Sequence, residues 1–296
     1  MTRQGDKPDD ATTRSPRRSV ETVPAFVVTD GGGQSRTDEV VVEQPLEIRL
    51  ASDPLTTTMR TPGEDHYLAV GFLFAEGVIQ TLADVGTVSH CGRTDEPGYG
   101  HTLDVVPAGG AKLDWDRVEG ARRAGLVSSA CGVCGRASID ELLARVPPVP
   151  LDIRIPATLV ARSPELLAAA QETFARTGGV HAAAALDRAG RIQAVAEDIG
   201  RHNAVDKVIG KLLYQSRLPR LNDPEAPILL VVSGRASFEM VQKAATAGFP
   251  LLASVSAASS LAIETAQTMG ITLAAFVRPG RFTLYTHPDR VLPPAP

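Results

Sequence analysis

The feature that most constrains the fold is a pattern repeated in the second half of the chain: a short apolar run, a polar loop and a helical segment. Residues 227–232 form one such run, which leads into the loop Ser233–Ser237 and a helical segment through Ala247. Apolar runs at 251–255 and 271–277 repeat the pattern. Buried strands that alternate with helices are typical of a parallel or mixed sheet covered on both faces. The sequence therefore predicts an α/β fold, with a mixed sheet and helices on both of its faces.

Two local patterns add detail to this prediction. Apolar runs at 181–185 and 192–195 are separated by Asp187-Arg-Ala-Gly190, which predicts a β-hairpin. Ser163 followed by Pro164 has the pattern of an N-cap with proline at the first helical position. We therefore expect a helix to begin there and to end at Gly178.

A proline cluster at 146–150 is the best candidate for a domain boundary, because clustered prolines stop helices and stiffen linkers. Before it, short β-type runs precede a helix that we expect to open near Thr61 and to end at Gly77. We predict a disordered tail over residues 1–22, a smaller N-terminal α+β domain over 23–148 and an α/β cofactor-binding domain over 149–296.

Composition excludes several classes of protein. The formal net charge of -4 argues against bulk binding to nucleic acid or to a membrane surface. We find no apolar run of the roughly 18 residues that span a bilayer, and no secretory signal. Three cysteines in 296 residues do not make a disulfide framework, so a reducing cytoplasm is the expected location.

A C-x-x-C pair, Cys131-Gly-Val-Cys134, is the strongest chemical signal in the chain. Two thiols at this spacing can share a metal, form a disulfide or pass sulfur between them. The glycines that follow both cysteines allow the backbone to bend, and nearby cations such as Arg122 and Arg136 favour the thiolate. We expect a mobile loop that carries a nucleophilic cysteine.

Other interpretations of the pair are weaker. A zinc half-site would need further ligands, and only His90 and Cys91 stand out as candidates. A thioredoxin-like redox pair would need an apolar strand that leads directly into the motif. A zinc deaminase places a Glu two residues after its His, whereas His181 is followed by two alanines.

A second signal is a Gly-Arg pair that occurs beside the ends of three predicted elements. The pairs are Gly200-Arg201, Gly234-Arg235 and Gly280-Arg281. Glycine lets backbone N–H groups approach an anion, and arginine binds phosphate in a bidentate manner. For one pair alone an ordinary turn with a solvated arginine is the better interpretation, but three pairs together favour phosphate contacts.

Long motifs in a fixed order support an assignment to a family. They are Leu68–Gly77, Cys131–Gly135, Glu197–Lys207, Ser233–Lys243, Phe276–Arg281 and Tyr285–Pro288. Over roughly residues 40–290 the chain resembles the formate dehydrogenase accessory sulfurtransferase family, FdhD.

The resemblance implies a cytoplasmic sulfurtransferase that takes persulfide sulfur from a cysteine desulfurase. It would pass this sulfur to the molybdenum bis(molybdopterin guanine dinucleotide) cofactor before the cofactor enters formate dehydrogenase. Cys131 would carry the persulfide, while Cys134 would be a resolving thiol or a second carrier. The resemblance also implies a cytidine-deaminase-like fold for the C-terminal half and a homodimer, with no dedicated metal.

The expected cofactor-binding residues come from the matching segment at 276–281 and from the Gly-Arg loops. They are Phe276, Val277, Arg278, Pro279, Gly280, Arg281, Ser233, Gly234, Arg235, Asp198, Gly200, Arg201 and His202. Because guanine presents N–H donors, a carboxylate is the natural group to read it, and Asp198 and Asp206 are candidates. Two further functions stay open at this stage: a non-catalytic chaperone that binds the molybdenum cofactor, and a thiol oxidoreductase.

Overall fold

A computed structural model describes residues 19–96, 98–126, 140, 142–150, 152–220 and 223–293, with only the backbone for 123–126. Cys131 and Cys134 lie outside the described residues, as does most of the predicted tail over 1–22. The first strand already begins at Val20, within the range predicted as tail, because it pairs along its whole length with the strand that follows.

The described residues form strands and helices that alternate most regularly after residue 180. The strands are β1 (Val20–Thr29), β2 (Gly32–Val41), β3 (Gln44–Leu50), β4 (Asp53–Arg60), β5 (Val85–His90), β6 (Thr102–Pro107), β7 (Ile155–Pro156), β8 (His181–Leu186), β9 (Ile192–Asp198), β10 (Leu229–Val232), β11 (Leu251–Ser254), β12 (Thr272–Arg278), β13 (Arg281–Leu284) and β14 (Val291–Leu292). The helices are α1 (Asp65–Ala75), α2 (Trp115–Leu126), α3 (Ala157–Ala169), α4 (Glu172–Thr177), α5 (Arg201–Tyr214), α6 (Phe238–Ala247) and α7 (Ser260–Thr268). Short 3₁₀ turns occupy Leu82–Asp84 and Pro288–Arg290.

A six-stranded mixed sheet in the order β13-β12-β11-β10-β8-β9 forms the C-terminal half. Strands β10, β11 and β12 are parallel, and β8, β9 and β13 are antiparallel to their neighbours. The predicted hairpin is confirmed as β8 and β9.

Both faces of this sheet are covered, and its central strands β10 and β11 are buried at every position. On one face Leu230 and Leu252 belong to a core cluster that includes residues of α5, α6 and α7. On the other face Leu229 and Leu251 belong to a second cluster with residues of α3. The predicted fold class, a mixed sheet with helices on both faces, is confirmed.

The N-terminal half is built on a four-stranded sheet in the order β4-β3-β6-β5, with α1 and α2 packed near it. Strand β3 alternates buried and less buried residues, as the pattern Leu46-Glu-Ile-Arg-Leu50 predicts. Its buried residues join the same core cluster as α5 and one face of the six-stranded sheet. The two halves therefore share one apolar core across the predicted boundary at 148.

The helix expected to begin at Ser163 begins six residues earlier, at Ala157, and contains Pro164 in its interior. Proline lacks the N–H that would bond the carbonyl of Val160 four residues before it. The hydroxyl of Ser163 donates to that carbonyl instead, at 2.8 Å. The N-cap prediction was wrong because the serine replaces a missing backbone hydrogen bond inside the helix.

Helices α1 and α5 are in direct backbone contact at two glycines. A Cβ on Gly71 would lie 1.8 Å from the carbonyl oxygen of Asp206, and a Cβ on Gly210 would lie 2.0 Å from that of Tyr67. Neither distance leaves room for a methyl group. This antiparallel contact joins α1 of the N-terminal half to α5 of the C-terminal half.

We predict that Gly71→Ala lowers the free energy of unfolding by about 1–3 kcal/mol or more, because the added methyl group must push the two helix backbones apart. Urea unfolding followed by circular dichroism measures this change. The matched control is Gly120→Ala in α2, where a Cβ would meet no atom within 4 Å. It should leave the midpoint unchanged or raise it slightly. A Gly71→Ala protein that unfolds at the same urea concentration as the unmodified chain would contradict the contact.

Candidate functional site

The loops that follow the parallel strands lie at one edge of the six-stranded sheet. Strands β10, β11 and β12 end there, and we call it the carboxyl edge. Ser233, Gly234 and Arg235 follow β10, and Phe276 lies near the end of β12. Ligands of open α/β sheets bind outside the carboxyl ends of the strands.

The antiparallel strands bring the remaining predicted residues to the same edge. His181 at the start of β8 pairs with Asp198 at the end of β9, and α5 begins directly afterwards at Arg201. Arg281 opens β13 beside the end of β12. All three Gly-Arg pairs therefore lie at the carboxyl edge, although they are separated by up to 80 residues along the chain.

A chain of hydrogen bonds holds the loops in a fixed relation to one another. The N–H of Phe276 donates to the carbonyl of Ser256 at 3.0 Å, and the N–H of Ser256 donates to Oγ of Ser254 at 3.1 Å. That hydroxyl donates in turn to the carbonyl of Gly234 at 2.7 Å. The loops after β10, β11 and β12 are thus connected into one unit.

Gly234 lies at the centre of this unit. A Cβ at this position would lie 3.4 Å from Cδ of Arg201 and 3.5 Å from Nδ1 of His181. The loop after β10 therefore touches the start of α5 and the start of β8. From Arg201 to Phe276, the loops of the carboxyl edge are connected to one another.

This surface presents hydrogen-bond donors that have no acceptor within the part of the chain that the structure describes. They include the buried Nε of Arg201, together with the backbone N–H groups of Gly234 and Arg235. Helices α5 and α6 both begin here without a side-chain cap from a described residue. Helix N-termini carry partial positive charge, so the carboxyl edge is suited to bind an anion such as phosphate.

Two titratable residues at the edge were not among the predicted binding residues. Burial, with the cationic Arg201 and the neighbouring His202 as further causes, lowers the pKa of His181, so its imidazole is neutral at pH 7. His202, whose Nε2 lies 3.9 Å from the carboxylate of Glu239, lowers the pKa of that carboxyl to about 2. Glu239 therefore stays ionised. It lies within the quoted motif Ser233–Lys243, but only the fold shows that the first turn of α6 faces α5.

The structure changes the prediction for Asp198, which was expected to bind the cofactor. Its carboxylate is fully buried and forms an ion pair with Lys207 at 2.7 Å. It also accepts hydrogen bonds from the side chain of Asn203 and from the backbone of Gly200 and Thr61. Asp198 holds the start of α5 in place and offers no free oxygen to a ligand.

Two other predicted contacts are also buried. Val277 is fully buried in the core cluster that includes α3, so its side chain supports the loop from beneath. Asp206, the second candidate to read guanine, is buried beside Lys243 at 2.7 Å, and burial raises its pKa to about 6. Arg278 is exposed, but its Nη1 donates to the carbonyl of Val255 at 2.6 Å and so ties two loops together. Pro279, Gly280 and Arg281 are exposed in the turn between β12 and β13.

A separate cavity of about 380 Å³ lies between β9, the start of α1 and α4. Several of its charged residues are already partnered: Lys211 contacts Glu64, and the carboxylate of Glu197 accepts from the backbone of Thr173 and Phe174. None of the thirteen predicted cofactor-binding residues lines it. The cavity is distinct from the carboxyl edge.

Two arginines on either side of the cysteine pair, Arg122 and Arg145, contact other parts of the protein. Before the pair, Arg122 contacts Glu119 at 2.7 Å and Asp53 at 3.5 Å, so its charge is partly offset. After the pair, Nη1 of Arg145 donates to the carbonyl of Glu76 at 2.6 Å. The carboxylate of Glu76 lies 3.9 Å from Nζ of Lys243, one turn along α6 from Glu239. The stretch after the pair is therefore tied to the end of α1, which also contacts α6.

Nothing among the described residues forms a group of three or more His, Cys, Asp and Glu side chains that could hold a metal ion. Cys91 is partly buried, and the ring of His90 contacts the carboxylate of Asp65 and the carbonyl of Thr102, at 3.3 Å each. The zinc half-site considered above also needs Cys131 and Cys134, which lie outside the described residues. Within the described ranges, no helix is long and apolar enough to cross a membrane.

We predict that Asp198→Asn costs about 3–5 kcal/mol of stability, because it leaves the ammonium group of Lys207 buried without its counter-charge. Chemical unfolding measures this loss. The double variant Asp198→Asn/Lys207→Met should recover much of it, since neither charge is then buried alone. The control is Glu39→Gln at the exposed pair with Arg176, which should have little effect. If Asp198→Asn is as stable as the unmodified chain, Asp198 does not hold α5 and is again a candidate to contact ligand.

Nearly the whole chain matches known proteins in sequence. A model of the FdhD/NarQ family matches residues 41–292. The chain is 54% identical over 265 residues to the protein named sulfur carrier protein FdhD from Anaeromyxobacter dehalogenans, covering 89% of this chain and 92% of that one. Proteins with the same name from Mycobacterium tuberculosis (87% and 93% covered) and Thermoplasma acidophilum (89% and 90%) are 47% and 43% identical.

The fold is similar to a crystal structure of a proposed formate dehydrogenase accessory protein from Desulfotalea psychrophila. The TM-score is 0.69 with 25% sequence identity, over 93% of this chain and all of the other. With these matches in both sequence and fold, the chain belongs to the FdhD/NarQ family.

Proposed function

We propose that this protein is a cytoplasmic sulfur carrier in the maturation of formate dehydrogenase. Cys131 receives sulfur from the persulfide of a cysteine desulfurase and delivers it to molybdenum bis(molybdopterin guanine dinucleotide) held at the carboxyl edge. The observation that carries this proposal is the connected set of loops from Arg201 through Gly234 to Phe276. These loops carry hydrogen-bond donors that have no acceptor among the described residues. Such donors are suited to bind the pyrophosphate groups of the cofactor.

The names of the relatives support the first part of the proposal. Several relatives between 43% and 54% identical are named as sulfur carriers, and the matched structure is described as a proposed accessory protein of formate dehydrogenase. A sulfur carrier needs a thiolate and an acceptor site. Cys131 and Cys134 are the thiols that we propose for the first requirement, and the carboxyl edge meets the second.

The sulfur transfer begins with a simple exchange. The Cys131 thiolate attacks the terminal sulfur of the donor's persulfide, a new S–S bond forms on Cys131, and the donor cysteine leaves as a thiolate. Delivery then requires the persulfide on Cys131, which lies outside the described residues, to reach the carboxyl edge.

The anion-binding part of the site fits a nucleotide diphosphate. The side chain of Arg235 is exposed and forms no ion pair with any described residue. Glu239 stays ionised beside it in the first turn of α6 and is the available carboxylate for guanine N–H groups, in place of the buried Asp198 and Asp206. We also propose a homodimer, on the resemblance alone.

The first prediction concerns the covalent step. After incubation with a cysteine desulfurase and cysteine, intact mass spectrometry should show a gain of about 32 Da that a thiol reductant removes. Cys131→Ala should lose this gain, because the acceptor thiolate is absent. The matched control is Cys91→Ala, which removes a described and partly buried cysteine and should keep it.

The same variants separate a carrier from a chaperone. In cells that lack the native gene, Cys131→Ala should fail to restore formate dehydrogenase activity, while Cys91→Ala should restore it. Full activity with Cys131→Ala would reject the carrier role and leave a cofactor-binding chaperone. Catalytic reduction of a disulfide substrate by the pure protein would instead support a thiol oxidoreductase.

The second prediction concerns the carboxyl edge. Arg235→Gln should raise the Kd for guanosine diphosphate about tenfold, which corresponds to the loss of one charge-assisted hydrogen bond. Isothermal titration calorimetry measures the affinity. The matched control, Arg217→Gln, changes an exposed arginine beyond the far end of α5 and should leave the Kd unchanged. Equal weakening by both substitutions would show a non-specific effect of net charge.

A further inference from the structure

Ser254 is a polar residue at the end of an otherwise apolar strand. The rest of β11, Leu251–Ala253, is apolar, and the whole strand is buried. A buried hydroxyl group costs free energy unless it forms hydrogen bonds. Because β11 ends at the carboxyl edge, the hydrogen bonds of Ser254 show what this hydroxyl holds in place there.

The hydroxyl of Ser254 bonds the loop that follows β10. Its single proton serves one acceptor at a time, and the carbonyl oxygen of Gly234 at 2.7 Å is nearer than that of Ser256 at 3.2 Å. The hydroxyl oxygen also accepts from the N–H of Ser256 at 3.1 Å. The shortest of these contacts is therefore the one that reaches from β11 to Gly234.

The residues on either side of Gly234 and Arg235 are fixed by other hydrogen bonds. Ser233 exchanges two bonds with Ala182 of β8: its N–H donates to the carbonyl and its Oγ accepts from the N–H, at 3.0 Å each. Ala236 bonds the loop after β11 through both its N–H and its carbonyl, also at 3.0 Å each. The peptide that joins Gly234 to Arg235 lies between these two fixed points, and the hydroxyl from β11 holds it.

The orientation of this peptide decides where its N–H group points. In a planar trans peptide the carbonyl and the N–H point in opposite directions. The carbonyl of Gly234 points towards the buried hydroxyl of Ser254, so the N–H of Arg235 points away from it. The N–H groups of Gly234 and Arg235 have no acceptor among the described residues. Two successive backbone N–H groups of this kind are suited to bind a phosphate oxygen.

Gly234 itself restrains this peptide very little. Glycine has no Cβ, so the peptide that follows it rotates more freely than the peptide after any other residue. Half a turn of rotation would direct the carbonyl oxygen of Gly234 to where the N–H of Arg235 now points. A carbonyl oxygen carries partial negative charge and repels phosphate. The hydrogen bond from Ser254 opposes this rotation.

We propose that Ser254 is a positioning residue, whose buried hydroxyl holds the Gly234–Arg235 peptide with the N–H of Arg235 directed at a phosphate of the ligand. This inference rests on the proposed function, which places a diphosphate at the carboxyl edge, and it adds the residue that orients one of the donors. Ser254 does not touch the ligand, because it is fully buried. A donor that is oriented before binding increases affinity, since no reorientation is needed when the ligand arrives.

The first measurement is affinity. Ser254→Ala should raise the Kd for inorganic pyrophosphate and for guanosine diphosphate about tenfold in isothermal titration calorimetry, which corresponds to the loss of one charge-assisted hydrogen bond. The matched control is Ser163→Ala in α3, which removes another fully buried hydroxyl that donates to a carbonyl, at 2.8 Å. Both variants should unfold at a lower urea concentration, but only Ser254→Ala should lose affinity.

The second measurement reports the orientation of the peptide directly. In protein labelled with ¹⁵N-arginine, the amide proton of Arg235 should move downfield at saturating pyrophosphate, because a hydrogen bond to phosphate deshields it. Arg235→Lys, which lacks one arginine signal, identifies the resonance. In Ser254→Ala the signal should not move downfield even at saturation. If Ser254 contributed only to stability, the downfield movement would be the same in both proteins.

The outcomes separate the inference from the function on which it rests. If the unmodified protein binds pyrophosphate and Ser254→Ala binds it equally well, the positioning role is refuted and the proposed site survives. The same conclusion follows if the Arg235 signal of the unmodified protein does not move, or if it moves equally in Ser254→Ala. Equal weakening by Ser163→Ala would attribute the loss to lower stability and would also refute the role. If the unmodified protein binds neither probe, the site fails together with the inference.

Discussion

The buried ion pair between Asp198 and Lys207 is the interaction on which the rest of the site depends. Asp198 ends the outer strand β9, Lys207 lies inside α5, and both contact Thr61 from the N-terminal half. A buried pair of this kind does not by itself stabilise a fold, because removing two charges from water costs about as much as their attraction returns. Its role is geometric. It fixes where α5 begins, and with it the position of Arg201 and His202 at the carboxyl edge.

The sequence predicts the architecture well where each strand is uniformly apolar. Runs such as 227–232 can only be buried on both faces, so the mixed α/β sheet follows from the pattern alone. The placement of three Gly-Arg pairs at one edge follows from the topology once the strands are known. Local exceptions were harder to predict. Ser163 has the pattern of an N-cap, yet it lies inside a helix before Pro164. A serine hydroxyl can accept from a backbone N–H at a helix start, and it can equally donate to a carbonyl inside a helix, as it does here.

Side-chain roles at the site were only partly predictable for a related reason. Asp198 and Arg201 stand three residues apart in one motif, but one is buried in an ion pair and the other is at the surface of the site. An aspartate two residues before a glycine looks the same in the sequence whether it binds a ligand or forms a buried ion pair. Only the position of Lys207 in the fold decides between these two roles. The register shift between Ala275 and Arg278 of β12, which leaves Phe276 exposed, is likewise invisible in the sequence, since a phenylalanine between an alanine and a valine is typical of an ordinary buried strand.

The contact between α1 and α5 has a consequence for how the protein can move. Most two-part proteins close around a ligand by sliding layers of side chains past one another or by bending at a hinge. At Gly71 and Gly210 the backbones touch, so no layer of side chains lies between them at that point, and one continuous core runs across the junction. Hinge closure of one sheet onto the other would have to break this contact and the shared core. A ligand at the carboxyl edge therefore binds to a backbone framework that is formed before the ligand arrives.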